Sequence, residues 1–522
     1  MRNNLRHLPF VALILTGLLS VAAAPIRQFR FEGNTVYSTA ELTKLTTPFL
    51  GREATREELE DARRAVTLHY VNHGYLNSGA ILPPQDFRDG IVTVKIVEGK
   101  LSSVHVTGNK WLRDNFLTPR IQRWAGPPLN MDRLRTGLQI LRQDPNLTQI
   151  NAKLEPGTAP GQSRLDVQVA DQQPFRVGLQ LDNYRPPSVG STELLLLLAD
   201  LNLTGHGDPL VFDYGIATAS SDGARFSELG NLSGSYAFPL TSYNTTLHIF
   251  GSKSDFTVVE EPFTTLAIEG RSYRVGAALR QPFYLSDQRE FALALSFERR
   301  HSETFLLGQP FDITPGSVHG VNNISAIRFS QEWTDRSLNH VLALRSTFSF
   351  GLDVLDATDD GSSRNAKFFA WLGQVQYIRR LFNTPNQLIF RTDAQLTSNP
   401  LLSLEQLSIG GPTSVHGYRQ NQLVRDQGVV SSVELRVPVM FDRRGAPILQ
   451  LAPFFDIGAG WNNAAPTPSP TAIPSIGIGL ILTPHKRVTA EMYWGYALTK
   501  IDLPHNDPQD SGFVFRVRVD AF

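Results

Sequence analysis

The segment Phe291–Ala292–Leu293–Ala294–Leu295–Ser296–Phe297–Glu298 alternates large apolar residues with small or polar ones at every step. A period of two puts Phe291, Leu293, Leu295 and Phe297 on one face of an extended strand and Glu298 on the other. The texture recurs at Phe369, Trp371, Val375 and Tyr377, and again at Val488, Ala490, Met492, Trp494 and Tyr496. About sixteen such segments follow Pro174, each around ten residues, the length that crosses an outer membrane at a tilt. Short turns such as Thr483–Arg487 and Phe382–Asn386 trade places with long loops such as Phe256–Gly270, His301–Gly320 and Ser398–Gln427. In the last strand, Phe513, Phe515, Val517 and Val519 oppose Arg516 and Arg518, and the chain ends on the aromatic Phe522. The expectation is an all-β transmembrane barrel of about sixteen antiparallel strands. Asn462–Ser475, rich in Pro, Ala, Ser and Thr, reads as a mobile surface loop.

The N-terminus supports export. Arg2 and Arg6 precede an apolar run, Leu8–Leu19, and the small residues Val21–Ala24. This is the order of a secretory signal peptide, with the cut expected after Ala23, because Pro25 would hinder a cut after Ala24. Nothing later approaches a transmembrane helix, so further membrane residence must use strands. Lys+Arg and Asp+Glu balance at 49 each, which does not favour nucleic acid as a partner. The chain has no cysteine, which removes disulfides, thiolate zinc sites and cysteine nucleophiles.

Between the leader and Pro174 the chain repeats itself with a period of roughly 70 residues. The first module spans 24–99 and the second 100–173. Module one has a strand at Ile26–Phe31, the turn Gly33–Asn34, a helix near Ser38–Thr46 and a stronger one over Thr55–His73. Thr55 with Glu58 forms a capping-box pattern, and Leu59, Ala62, Val66 and Tyr70 make one apolar stripe, stopped by Gly74. Strands at Gly79–Leu82 and Ile91–Val97 close it. Module two has a strand at Val104–Val106, helices near Trp111–Trp124 and Asn130–Leu141, and strands at Gln149–Leu154 and Ser163–Val169. Each module is β-α-α-β-β, small enough to gain stability from a neighbour.

Two further stretches carry the chemistry. Gly410–Gly411–Pro412–Thr413–Ser414–Val415–His416–Gly417–Tyr418–Arg419 is a glycine-rich turn with ionisable and aromatic side chains at its tip. Phe454–Phe455–Asp456–Ile457–Gly458 is a strand that places Phe454, Asp456 and Gly458 on one face and Phe455, Ile457, Ala459 and Trp461 on the lipid face. With Gly33–Asn34–Thr35–Val36–Tyr37, Gly74–Tyr75, Ile81–Leu82–Pro83, Asp144–Pro145, Gly205–His206–Gly207–Asp208 and Ser235–Tyr236–Ala237–Phe238–Pro239–Leu240, they occur in an order that resembles one family. The chain is similar to the outer-membrane transporters of two-partner secretion, relatives of the BamA insertases, over essentially its whole mature length.

The resemblance implies two periplasmic POTRA domains before a barrel at 174–522, with loop 398–427 folded into the lumen. It implies that Val415, His416, Gly417 and Tyr418 form the loop tip and meet Phe454, Asp456 and Gly458 on the wall. The family pattern at the tip is Val-Arg-Gly-Phe/Tyr, and His416 departs from it. An arginine is always charged and grips a carboxylate with two parallel bonds, whereas histidine lacks the fork and its charge depends on pH. The anchor is then weaker, or pH-sensitive, or shifted onto Arg419, or His416 simply packs in the lumen. Glu434, in register with Ser432 and Arg436, is expected in the polar lumen. Some relatives carry an N-terminal plug helix; here the first module starts almost directly after the leader, so closure falls mainly to 398–427.

The function so implied is capture of an unfolded exported partner, an adhesin- or haemolysin-like exoprotein, and its passage to the cell surface without ATP. A sheet edge of the modules can accept an extended chain by β-augmentation. No phosphate-binding loop is present. The other expected partners are outer-membrane lipid and lipopolysaccharide, around a monomeric pore, with no cofactor and no metal. His69 and His73 stand at i, i+4 but lack a third ligand. The main alternative is a barrel-assembly insertase, against which two modules and a mature chain near 500 residues weigh. A solute porin has no need of the modules, and an outer-membrane lipase would need a nucleophile–base signature that is missing.

Overall fold

A computed structural model describes residues 25–86, 89–217, 230–260, 263–382, 384–464 and 466–521. The expected signal peptide and Phe522 lie outside them. The chain forms two compact units, one of Met1–Val104, Ala125–Leu134 and Lys153–Asp166, the other of His105–Trp124, Arg135–Ala152 and Val167–Phe522.

The first unit holds β1 (Gln28–Glu32), α1 (Thr39–Thr46), α2 (Arg56–Asn72), β2 (Gly79–Ile81) and β3 (Ile91–Val97). The sheet order is β1-β3-β2, with β1 parallel and β2 antiparallel to β3. Ser38 caps α1 through the Glu41 N–H, and Thr55 caps α2 through the Glu58 N–H at 3.2 Å. Only half of the capping box forms: the Glu58 carboxylate turns to Arg52 at 3.0 Å, and the Thr55 N–H finds the Glu53 carbonyl. Leu59, Ala62, Val66 and Tyr70 are buried against Phe29, Phe31, Val92, Val94 and Ile96, the stripe read from the sequence. The rings of His69 and His73 lie 4.5 Å apart, tilted to each other, beside Tyr37.

Glu98, just past β3, ties the module's first turn to its helix. Its Oε1 accepts the Thr35 N–H at 2.7 Å, the Val36 N–H at 2.9 Å and the Tyr70 hydroxyl at 2.9 Å. Burial alone would raise this carboxyl, but the bonds from Thr35, Val36 and Tyr70 outweigh it and hold it below its ordinary value. A lowered folded value means stability that is present above the unfolded value near pH ~4.3 and is lost as pH falls through the folded one. Glu98→Gln, which keeps one acceptor but loses the charge in a partly solvent-screened site, should therefore cost the module about 1 kcal/mol at neutral pH. Thermal unfolding followed at pH 7 and at pH 3 checks it: the gap between parent and variant should narrow in acid.

The second module comprises β4 (Lys100–Thr107), α3 (Asp114–Ala125), α4 (Met131–Leu141), β5 (Leu147–Pro156) and β6 (Gln162–Asp171), with sheet order β4-β6-β5. Its first helix starts three residues later than the sequence pattern implies. Lys110, Trp111 and Leu112 instead form a turn whose N–H groups converge on the Asp171 carboxylate at 2.9, 2.6 and 2.9 Å. Asp171 thus repeats the task of Glu98, which explains the shared turn at Gly33–Asn34 and Gly108–Asn109. Within the second unit, α3 sits on the barrel's turns. The Arg113 N–H donates to the Gly205 carbonyl at 2.9 Å, Arg120 to Thr241 at 3.2 Å and Arg123 to Ser242 at 3.1 Å. The Gly205–Asp208 turn is itself closed by Asp208, which accepts from the Thr204 N–H and the Tyr236 hydroxyl.

Among the described residues, sixteen antiparallel strands of 8 to 18 residues, from Phe175–Asp182 to Phe513–Asp520, close into a barrel. Leu295, Phe297, Trp494 and Tyr496 are exposed on its outside, while Ala292, Glu298 and Tyr493 are buried on its inside, as alternation requires. Among the described residues no helix is long and apolar enough to cross a membrane. The last strand pairs with the first through only five residue pairs, Arg516↔Asp182 to Asp520↔Gly178, the shortest seam in the ring. The Asn462–Ser475 expectation needs correcting, because the strand Ala472–His485 begins inside it and Ile473 and Ser475 are buried. Pro474 is tolerated there because it lies just past the last pair with the next strand, Ser475↔Ala497, where no ladder bond is required of its nitrogen.

Candidate functional site: the in-folded loop and its seat

The strands Gln387–Thr397 and Gln427–Phe441 are joined by a segment that turns into the barrel and forms its own ladder, Leu407–Ile409 with Leu423–Arg425. Two carboxylates hold its base. Glu405 accepts from Arg328 at 2.7 Å, and Arg328 also reaches the buried Glu298 at 2.6 Å, which Arg300 and Arg274 share. Asp426, fully buried, accepts from the Leu401 N–H at 3.0 Å, Gln406 at 2.8 Å, the Asn463 N–H at 3.0 Å and Arg364 at 3.1 Å. The desolvation cost of these charges is offset by pairing, since each carboxylate oxygen has donors.

At the tip, Gly410, Gly411 and Gly417 adopt positive φ of 109°, 95° and 86°, which lets the chain reverse. Val415 is buried with Ile409, Leu423 and Ile473. Asp456 Oδ2 accepts both the His416 backbone N–H at 3.0 Å and its Nδ1–H at 2.7 Å. The imidazole lies between Tyr493, stacked at 4.8 Å, and Phe454 at 4.7 Å. Gly458 supplies clearance, since a Cβ there would stand 2.2 Å from Ile409 Cγ2 and 3.0 Å from Val415 Cγ2. The structure therefore brings Val415, His416, Phe454, Asp456 and Gly458 into one cluster.

The histidine leaves a trace in the bonding. Among the described residues Asp456 Oδ1 is buried with no hydrogen-bond partner, and so is the hydroxyl of Ser475, its cross-strand neighbour. A two-point donor at position 416 would satisfy Oδ1; imidazole reaches one oxygen only. His416→Arg is accordingly expected to tighten the tip and lower single-channel conductance in planar bilayers by roughly twofold or more, given one added charge-assisted bond. Unchanged conductance with unchanged secretion would count against a gating role.

Arg419 does not supply the missing bond. It turns away to Asp510, with Nη2–Oδ2 at 2.8 Å, and to Glu260 at 2.8 Å, tying the tip to two other loops. Tyr418, 2 % exposed, donates to the Pro474 carbonyl at 2.7 Å and accepts the Thr499 N–H at 2.9 Å. Glu434 lies on the lumen wall, where it pairs with Arg436 and accepts the Tyr493 hydroxyl at 3.2 Å. Sequence reasoning missed Tyr493, although its inward parity between Met492 and Trp494 could have found it. Asp510, Glu260, Glu405 and Asp426 had no local signal.

Beside the tip lies a chamber of about 480 Å³ lined by Glu332, Arg345, Gln374, Arg391, Asp393 and Thr413. Among the described residues no group of three or more candidate metal ligands occurs.

Comparison with known proteins agrees with this architecture. Residues 161–482 match the family described as haemolysin secretion/activation protein ShlB/FhaC/HecB, and residues 24–99 match the ShlB-type POTRA domain. The outer membrane transporter CdiB of Dickeya dadantii (strain 3937) is 24% identical over 444 residues, 83% of this chain and 75% of that one. The heme/hemopexin transporter protein HuxB of Haemophilus influenzae (strain 86-028NP) is 23% identical over 441 residues, 81% and 73% of the two chains. CdiB from Escherichia coli shares the fold with a TM-score of 0.69 at 19% identity, over 98% of this chain and 93% of that one. BamA from Haemophilus ducreyi lacking POTRA domains 1–3 shares it at 0.55 and 14% identity, over 95% and 100%.

Proposed function

The chain belongs to the ShlB/FhaC/HecB haemolysin secretion/activation family, and on that premise we propose how its parts divide the work. It is an outer-membrane transporter of the two-partner secretion type, with POTRA modules in the periplasm, that translocates a partner exoprotein. We assign 1–23 to a removed leader, 24–99 and 100–173 to the two POTRA domains, and 174–522 to a monomeric barrel in lipid and lipopolysaccharide. The modules capture the unfolded exoprotein, of adhesin or haemolysin type, and folding of the cargo outside draws it through.

In this reading loop 398–427 is the gate. Val415, His416, Gly417 and Tyr418 are its latch, Phe454, Asp456 and Gly458 its seat, and Arg419 and Glu434 auxiliary lumen charges. The observation that carries the proposal is the docking of His416 on the fully buried Asp456 while the loop's base is held by separate ion pairs. Such a loop can release at its tip and stay anchored at its root. In a strain deleted for this chain, the cognate exoprotein should be retained or degraded in the periplasm while other barrels keep their normal levels. General loss of barrels with secretion intact would favour the insertase instead.

A further inference from the structure

β3 is the central strand of the first module's sheet, and β2 covers only part of the side that faces away from β1. The β2 residues Gly79, Ala80 and Ile81 pair with Val97, Ile96 and Lys95, leaving Thr93 and Ile91 beyond the end of β2. The chain cannot extend β2 as a regular strand, because Pro83 and Pro84 follow and neither has an N–H to donate.

The uncovered backbone is nevertheless satisfied, by side chains. Gln85 Oε1 accepts the Thr93 N–H at 2.6 Å, and Gln85 Nε2 donates to the Thr93 carbonyl at 2.7 Å. The same amide nitrogen also meets the Pro83 carbonyl at 3.3 Å. Asp89 Oδ1 accepts the Ile91 N–H at 3.0 Å. A side-chain amide is chemically a peptide group, and here it bonds both polar atoms of one residue, as a neighbouring strand does. The outer side of β2 is masked too: Thr67 accepts the Ala80 N–H at 3.0 Å and Arg63 donates to its carbonyl at 3.3 Å, but these groups belong to α2, packed beside it. Gln85 differs in lying outside any helix, so its side chain can turn away from Thr93 without unpacking one.

We propose that Gln85 is a displaceable stand-in for cargo. An extended segment of the exoprotein adds at the edge of β3 by taking over the Thr93 bonds from the Gln85 amide. The inference rests on the reading of the modules as capture domains and locates the docking strand within the first. Main-chain pairing makes the site tolerant of sequence, as a carrier of long unfolded chains requires. Competition from Gln85 keeps the edge from pairing with a second copy of the module.

The test uses the whole protein in detergent and a fluorescein-labelled peptide of alternating threonine and valine with terminal lysines. Gln85→Ala removes the stand-in. Gln85→Glu keeps the volume and the acceptor but loses the donor, and so guards against misreading a folding defect. Fluorescence anisotropy should show roughly tenfold tighter binding to Gln85→Ala than to the parent, from two competing hydrogen bonds of ordinary strength, with Gln85→Glu between them. Hydrogen exchange at the Thr93 amide should be fast in free Gln85→Ala and slow again with peptide bound. Equal affinity in all three proteins overturns the proposal. Protection at Ala80 instead of Thr93 also overturns it, while leaving capture by the module standing. Failure of the peptide to bind any of them, with the exoprotein still secreted, removes capture by this module as well.

Discussion

Asp456→Ala is expected to raise single-channel conductance severalfold in planar bilayers and to cut secretion of the exoprotein at least about tenfold. The substitution removes the acceptor of two hydrogen bonds, one from the His416 backbone and one from its ring. It leaves both donors buried beside Phe454 and Tyr493. Bonds to a carboxylate are worth about 1.5–3 kcal/mol each, so the docked state of the tip should weaken by at least about a hundredfold. The base does not share in the loss, because Glu405 and Asp426 have their own partners. The barrel should therefore still fold and run with heat-modifiable mobility on gels. Asp456→Asn keeps one acceptor and should show a smaller change in the same direction. If both variants match the parent in conductance and secretion, the tip is not a gate.

Why these residues could be found, and others not, follows from the range of the forces involved. Strand alternation is written locally: once Phe291 to Glu298 is read with period two, the inside and outside of every strand follow, and Phe454, Asp456 and Gly458 fall on one face. The role of that face came from resemblance alone, since nothing in composition or spacing joins Asp456 to a loop forty residues earlier. The partners of Arg419, at Glu260 and Asp510, are 159 and 91 positions away and lie in loops without periodicity. The Thr55–Glu58 pattern was half right because Arg52, an exposed cation nearby, outcompeted a backbone N–H for the carboxylate. Pro474 reads as loop in the sequence, yet a proline's missing donor matters only where the ladder needs it, which depends on where the neighbouring strand ends. Glu98 and Asp171 were passed over although they end matching strands in the two modules and cradle matching turns.

The second large effect separates fit from attraction. Gly417 of the tip, Gly495 of the strand Val488–Ala497 and Gly512 ahead of the last strand stack backbone on backbone. A Cβ at Gly495 would lie 2.6 Å from the Gly417 nitrogen and 2.8 Å from its Cα, distances that atoms cannot share and that no side-chain rotamer can relieve. Gly512 is a poorer position to test, because its φ of 74° already strains any other residue and a Cβ would also meet the Gly495 carbonyl. Gly495 lies outside the left-handed region, so alanine suits its backbone and offends only the tip. Overpacking typically costs about 1–3 kcal/mol where neighbours can yield, and here the neighbour is main chain. Gly495→Ala should therefore lift the tip from its seat, breaking the Tyr418 bonds to Pro474 and Thr499 in the same movement, while Asp456 itself is untouched. Conductance should rise at least as far as in Asp456→Ala, and a cysteine placed at Ser414, in a chain with no other, should react faster with a thiol reagent than it does in the parent. Secretion then decides between two roles for the carboxylate. If docking of the loop is what export needs, Gly495→Ala fails as Asp456→Ala does. If Asp456 instead guides the passing chain by its charge, Gly495→Ala opens the pore and still secretes, because the carboxylate remains and only the latch has gone.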